Sequence, residues 1–268
     1  MTDFRTVELS DPGIDPAELR FMTVKSPALG ARADITLFVP DAVAGLADVP
    51  VVMLLHGVYG SHWAWALKGG AHLTAQRLID DGAIPPLVLA MPSDGLWGDG
   101  SGYVPHRACD FERWIVEEVP AAMRFACPAC GPASPIAIIG LSMGGFAALR
   151  LAGKYPSRFA AVAAHSAAVE AADLAPLIEE SQTDWSDAAI DRSALAALRT
   201  APADALPPIH VDCGVDDPYL AQNRRLHEAL DDAGIAHDYA EHPGAHDWDY
   251  WRTHVAESLR FVGVAVTI

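Results

Sequence analysis

Residues 135–153 limit the possible folds of this chain more than any other stretch. Pro135-Ile-Ala-Ile-Ile-Gly-Leu-Ser-Met-Gly-Gly145 carries an apolar, largely β-branched run into Gly-x-Ser-x-Gly, and Phe146-Ala-Ala-Leu-Arg-Leu-Ala-Gly153 follows with helical composition. The pattern predicts a buried strand, a sharp turn with Ser142 at its apex, and a helix directly behind. Such a turn raises the serine hydroxyl above the sheet and points the helix N-terminus at whatever the serine attacks. Alone, Gly140-Leu-Ser-Met-Gly144 is a weak motif, and its bland reading is an ordinary tight strand–helix turn. Its placement between strand and helix gives it weight. The G-x-G-x-x-G spacing of a dinucleotide site is absent from it.

The remaining chain repeats the alternation. Residues 20–26 and 33–40 flank Pro27-Ala-Leu-Gly30 as a hairpin. Apolar runs at 51–56 and 87–91 read as strands buried on both faces, and 159–164, 209–213 and 236–240 read as the later strands. Helical spacing is expected over 71–81, 110–126, 220–233 and 247–262, with Pro120 kinking or splitting the second of these. The Gly-rich stretch 93–106 is long for a loop without function. Residues 167–206 are Ala-rich with weak periodicity and read as an excursion of short helices over the active site. The fold class implied is α/β, a mostly parallel sheet of about eight strands with helices on both faces, in a single domain over 1–268. In such sheets ligands bind beyond the carboxyl ends of the strands, where His56-Gly57, Ser142, Asp216-Asp217 and the segment around His246 all fall.

Composition narrows function by exclusion. Hydrophobic residues form 51% of the 268, enough for a large core. The net charge of −17 argues against a nucleic-acid partner, which needs a cationic face. No apolar run is long enough to cross a bilayer, and the first ten residues lack the core of a signal peptide, so the expected location is cytoplasmic. The four cysteines do not make a disulfide framework in a chain this long. Cys127-Pro-Ala-Cys130 is a lone CxxC, read as an incidental loop rather than a zinc or redox site, and no metal is expected.

A serine hydroxyl needs a base to take its proton and an acid to orient that base. Past Ser142, Asp216 and Asp217 follow the strand ending at Cys213-Gly214, and His246 lies in Pro243-Gly-Ala-His-Asp-Trp248. This is the order Ser, acid, His. Asp217 has the G-x-x-D spacing, while Asp216 competes, and either could cap the helix that follows. His237 falls within a predicted strand, His227 and His254 fall in helices, and His242 ends its strand, which leaves His246 as the base. The oxyanion of acyl transfer requires two N–H donors. Met143 supplies one and the His56-Gly-Val-Tyr-Gly60 loop the other, from Val58 or, failing that, Tyr59. His56 reads as a structural hydrogen-bonder. Tyr59, Trp65, Trp97 and Trp248 are candidate pocket-lining aromatics, with simple packing as the alternative for each.

Together, Leu54-Leu-His-Gly57 with Gly60 and Trp65, Asp110-Phe-Glu-Arg-Trp114 with Glu117-Glu118, Gly140-Leu-Ser-Met-Gly-Gly145, Cys213-Gly-Val-Asp-Asp217, and Gly244-Ala-His-Asp-Trp248 with Trp251 resemble one family. It is the α/β-hydrolase family of esterase D, S-formylglutathione hydrolase and tributyrin esterases. The resemblance spans roughly residues 34–262 and implies the α/β-hydrolase fold and a cofactor-free carboxylester hydrolase. It implies Ser142 as nucleophile, Asp217 as acid, His246 as base, and Val58 and Met143 as backbone donors. The expected partner is a small-molecule ester with a short acyl group, and a homo-oligomer is compatible with the sequence. Alternatives are an S-formylglutathione-type thioesterase, an acyltransferase, or a non-catalytic binding module on the same fold. The 93–106 and 167–206 segments depart from the family and are expected to shape the pocket.

Overall fold

In the computed structural model, which describes residues 7–9 and 18–267, the apolar runs become strands of one sheet. The strands are β1 (Val7–Leu9), β2 (Leu19–Lys25), β3 (Arg32–Phe38), β4 (Val51–Leu55), β5 (Val88–Pro92), β6 (Ile136–Leu141), β7 (Ala161–His165), β8 (Ile209–Gly214) and β9 (Asp238–His242). Their order is β1-β2-β3-β5-β4-β6-β7-β8-β9. The first three strands pair antiparallel, β3 also pairs antiparallel with β5, and from β5 to β9 every pair is parallel. Eight of these nine strands correspond to the runs read from the sequence. The additional one, β1, has only three residues, too few to show a period. Apart from it, the amino-terminal stretch read for a leader lies outside the described residues. Among the described residues no helix is long and apolar enough to cross a membrane.

Side chains alternate across the sheet, so each central strand feeds two cores. From β4, Val51, Met53 and Leu55 pack on one face beneath the helices Val119–Ala126, Met143–Lys154 and Leu220–Asp232. Val52 and Leu54 pack on the other, beneath Ala71–Asp80 and Trp248–Ala265. Burial on both faces is why these strands carry continuous apolar runs.

The segment 110–126 is helical, and its character changes just before Pro120. An α-turn at Phe111–Arg113 passes into a π-helical stretch, Trp114–Glu118, and then into the helix Val119–Ala126. A wider turn just before a proline lets the helix continue past a residue that has no N–H to donate. Cys127 and Cys130, at the end of this helix, are buried free thiols, and the hydrogen bond with Cys130 brings the Cys127 thiol down to about 6.

The 167–206 excursion packs mainly along the flank of the Met143–Lys154 helix. Gly153 is required there, because a Cβ on it would stand 2.4 Å from the Ala197 carbonyl carbon. A buried charge cluster fixes the same flank. Arg150 contacts Glu112 and lies 3.3 Å from Asp191, and its Nη2 donates to the Tyr103 carbonyl at 2.6 Å. Lys154 reaches Glu112 at 2.7 Å and also pairs with Asp191, while the Tyr155 hydroxyl donates to Glu112 at 2.5 Å.

Burial alone would raise the carboxyls of Glu112 and Asp191. For Glu112 the Arg150 charge and the hydrogen bonds from Arg150, Lys154 and Tyr155 outweigh it. Hydrogen bonds from Lys154 and Ser186 do the same for Asp191, and both groups are held below the ordinary range. Groups lowered in this way contribute stability that is fully present above their unfolded pKa, about 4, and lost as the pH falls through the folded values. Unfolding free energy should therefore depend less steeply on pH below about 4 in Glu112→Gln than in the parent chain. Arg150→Met, which leaves two buried carboxylates with one lysine, is expected to cost about 3–5 kcal/mol in urea unfolding at neutral pH.

Candidate active site

Crowding forms the turn at Ser142. A Cβ on Gly140 would lie 2.0 Å from the Gly144 carbonyl oxygen, and one on Gly144 would lie 2.3 Å from that of Leu55. Only glycine permits this approach of β6, the following helix and β4. Between them Ser142 adopts φ 53° and ψ −116°, a conformation L-residues rarely take. Its N–H is held by the His165 carbonyl at 3.0 Å, and its own carbonyl accepts from Phe146 at 3.0 Å.

The segments after β8 and β9 meet this turn. A Cβ on Gly214 would stand 2.3 Å from the Gly244 carbonyl oxygen, so the two loops touch through their backbones. The Asp216 N–H donates to that same carbonyl at 3.0 Å, and its side chain is exposed. Asp217 points inward. One carboxylate oxygen accepts from the Tyr219 N–H at 2.7 Å, and the other lies 2.9 Å from His246 Nδ1. His246 Nε2 is 3.0 Å from Ser142 Oγ. The imidazole is flanked edge-on by Tyr219 and by Trp251, both at 5.0 Å. Asp247, the next residue, caps the final helix by accepting from the N–H groups of Asp249 and Tyr250, both at 3.0 Å.

The other histidines lie elsewhere. His237 precedes β9 rather than lying inside a strand, and its Nε2 is 2.8 Å from His227 Nδ1. His242 ends β9 and stacks on His254 at 4.2 Å. His56 is fully enclosed. The Asp94 N–H donates to its Nε2 at 3.1 Å, which puts the ring proton on Nδ1, where it reaches the Gly57 carbonyl at 2.7 Å. Desolvation lowers its pKa against the pull of Asp94 and keeps it neutral. Asp94 in turn accepts from the amides of Leu96 and Ser101, at 2.9 and 2.7 Å. The sequence reading did not single out Asp94, and its position just past β5 was the available signal.

Around the 57–60 loop, the Val58 N–H has no acceptor among the described residues, whereas the Tyr59 N–H is already given to Asp99 O at 2.9 Å. Met143 is the first residue of its helix, ahead of the first intrahelical bond. Gly100 fits behind both, since a Cβ there would stand 2.6 Å from Met143 Sδ and 3.1 Å from Val58 Cγ1.

A cavity of about 300 Å³ opens over Ser142 and His246, walled by Val58, Tyr59, Trp63, Leu177, Trp248 and Trp251 among others. Of the four aromatics singled out in the sequence, Tyr59 (68% exposed) and Trp248 line it. Two do not. Trp65 is 1% exposed beneath the cavity, its indole N–H donating to the Leu55 carbonyl at 3.0 Å, so packing fixes it. Trp97 turns away, edge-on to His106 at 4.6 Å and beside Trp185. The sequence reading passed over Leu177 and Lys68 in this wall, because loop residues carry no period that reveals their direction.

The sequence profile of the family described as "Putative esterase" matches residues 26–262. The acetyl esterase of Caldicellulosiruptor saccharolyticus is 25% identical over 233 residues, covering 80% of this chain and 84% of that protein. Among solved structures, a ferulic acid esterase superposes with a TM-score of 0.78 at 24% identity, covering 97% of this chain and 99% of its own. An S-formylglutathione hydrolase from Agrobacterium tumefaciens does so with a TM-score of 0.73 at 20% identity, covering 92% and 95%. The match across residues 26–262, on a sheet shared with these esterases, places the chain in the Putative esterase family as a carboxylesterase-type hydrolase of the α/β-hydrolase fold.

Proposed function

We propose that the chain hydrolyses short-acyl carboxylic esters through Ser142, His246 and Asp217 by way of an acyl-enzyme. The observation that carries this reading is the unbroken line from Ser142 Oγ to His246 Nε2 (3.0 Å) and from His246 Nδ1 to Asp217 (2.9 Å), at the floor of the cavity. A cavity of about 300 Å³ suits a small acyl group, and the name of the acetyl esterase relative agrees with that size class. The four free thiols fit a reducing, cytoplasmic setting.

In the first step Ser142 Oγ attacks the ester carbonyl carbon while His246 Nε2 takes its proton. Asp217 holds Nδ1–H and so fixes the tautomer that leaves Nε2 free. The carbonyl oxygen becomes an oxyanion between the free Val58 amide and the Met143 amide at the helix N-terminus. His246 then returns the proton to the departing alcohol oxygen, and the C–O bond breaks to leave Ser142 acylated. Water, deprotonated by His246, repeats the sequence and releases the acid. His56, neutral and bonded through both ring nitrogens, holds the loop that presents Val58 and takes no part in proton transfer.

With p-nitrophenyl acetate or butyrate, Ser142→Ala should lower kcat by roughly 10⁴- to 10⁶-fold and abolish labelling by a fluorophosphonate probe. Unchanged turnover in that variant would sink the reading. The two aspartates separate in the same assay. Asp217→Asn is expected to lose about 10⁴-fold in kcat through the wrong imidazole tautomer, and Asp216→Asn to stay within about twofold.

A further inference from the structure

The chain contains three lysines, against 35 acidic residues. Lys25 donates to the Gly30 carbonyl at 2.6 Å, and Lys154 is held between Glu112 and Asp191. Lys68 lines the cavity over Ser142, and among the described residues no carboxylate lies within ion-pair distance of it. The other lining residues that can ionise are His246 and Tyr59, so Lys68 brings the one ammonium group to that wall.

Its placement is fixed from behind. The Lys68 N–H bonds Ala64 O at 2.9 Å, and its carbonyl accepts from Arg252 Nε and Nη2 at 3.2 and 3.0 Å. Gly69 leaves no slack, since a Cβ there would stand 2.9 Å from Trp248 Cζ3. The ammonium lies 5.6 Å from the centroid of the Trp248 ring, a cation–π contact that orients the side chain without neutralising it. Trp248 meets Trp251 edge-on at 5.3 Å, and Trp251 meets His246 edge-on at 5.0 Å. Lys68, Trp248, Trp251 and His246 thus form one continuous wall. His246 Nε2 must lie against the oxygen of the departing alcohol, so the alcohol portion of the substrate rests on this wall.

We propose that the preferred substrate is an ester whose alcohol portion joins an apolar or aromatic body to a carboxylate, with Lys68 as the residue that selects the carboxylate. This rests on the esterase reading above. The aromatic faces of Trp63 and Trp248 take the body, and the unpaired ammonium takes the charge. The net charge of −17 repels anions at long range, so a local uncompensated cation is what admits one.

The test compares meta-acetoxybenzoate with meta-acetoxybenzamide, which share an acyl group and differ in charge on the alcohol portion. Wild type should favour the anion in kcat/KM by about fivefold, and less at high salt. Lys68→Met should erase that preference and Lys68→Glu reverse it, each read as the anion-to-neutral ratio of kcat/KM within the same variant. An anion-to-neutral ratio that is the same in wild type and Lys68→Met would overturn the proposal. So would an effect confined to methyl hydrogen succinate, which carries its carboxylate on the acyl side. If wild type hydrolyses neither aryl ester, the short-acyl reading proposed above fails. Titration calorimetry with meta-hydroxybenzoate and meta-hydroxybenzamide then still reads Lys68, and equal binding of both by wild type and Lys68→Met would sink its role.

Discussion

The site is built on backbone packed against backbone. Gly140 and Gly144 let the end of β6, the start of the Met143–Lys154 helix and the end of β4 approach within distances that exclude a Cβ. That contact sets Ser142 at φ 53° and puts the Met143 amide beside the loop that carries Val58. A conformation this sparsely populated costs on the order of 1–3 kcal/mol and persists only where its surroundings over-determine it. Here the surroundings are the rigid parallel sheet and a helix buried over almost its whole length. The same packing extends to Gly214 against Gly244, so the histidine-bearing loop meets its neighbour through main chain rather than through adjustable side chains.

A second, wholly buried arrangement supports the segment after His246. His165 Nδ1 lies 2.8 Å from Asp212, and its Nε2 lies 3.0 Å from Ser258 Oγ. The Tyr250 hydroxyl donates to the other oxygen of Asp212 at 2.7 Å, and the Trp251 indole N–H reaches Ser166 Oγ at 3.3 Å. Burial would raise the Asp212 carboxyl, but the charge and hydrogen bonding of His165, with those of His210 and Tyr250, hold it well below the usual carboxylate range. The residue types are again Ser, His and Asp at hydrogen-bonding distances, yet all three are closed off from solvent. Their work is to tie the final helix to β7 and β8, which fixes Trp251 against the His246 ring. Composition of a triad is therefore not what distinguishes the two groups. Access to a cavity and a free pair of amides does.

This contrast explains what the sequence made legible. Strands buried on both faces must be continuous apolar runs, so β4 to β8 could be read directly, as could the elbow, whose glycines are forced by contact, whereas the order of the strands in the sheet could not. Ser142 and Asp217 come just after such runs and His246 just after the half-exposed β9, which is why the sequence could single out the three side chains that the structure brings together. Which of the four aromatics line the cavity and which only pack was not legible, because neither a four-residue helical turn, which holds Trp65, nor a loop, which holds Trp97, has a period to show direction. Trp65 hides beneath the cavity and Trp97 joins His106 and Trp185. Glu112 and Glu118 sat in a matched stretch whose meaning became visible only with partners far along the chain. Glu112 meets Arg150, and Glu118 accepts from Ser26 and the Ala28 amide at 2.5 and 2.8 Å.

The rim of the cavity is joined to this frame by a different kind of contact. Asp99 and the 179–180 segment exchange bonds: the Asp99 N–H donates to Glu180 at 3.0 Å and its carboxylate accepts from the Glu179 N–H at 2.9 Å. The Asp99 carbonyl takes the Tyr59 N–H, and the Tyr59 hydroxyl reaches the Leu177 carbonyl. The Gly-rich loop, the excursion and the 57–60 loop are thus linked by exposed or half-buried polar bonds in addition to the packing of Trp97 and His106 on Trp185. Elements held in this way open locally at lower free energy than a buried sheet. The excursion also reaches the Ser142–His246–Asp217 line beneath, because the Ala168 N–H donates to the Ser142 carbonyl at 3.2 Å and Tyr219, whose amide holds Asp217, donates its hydroxyl to the Asp173 carbonyl at 3.0 Å, so the rim and the line are joined through shared residues.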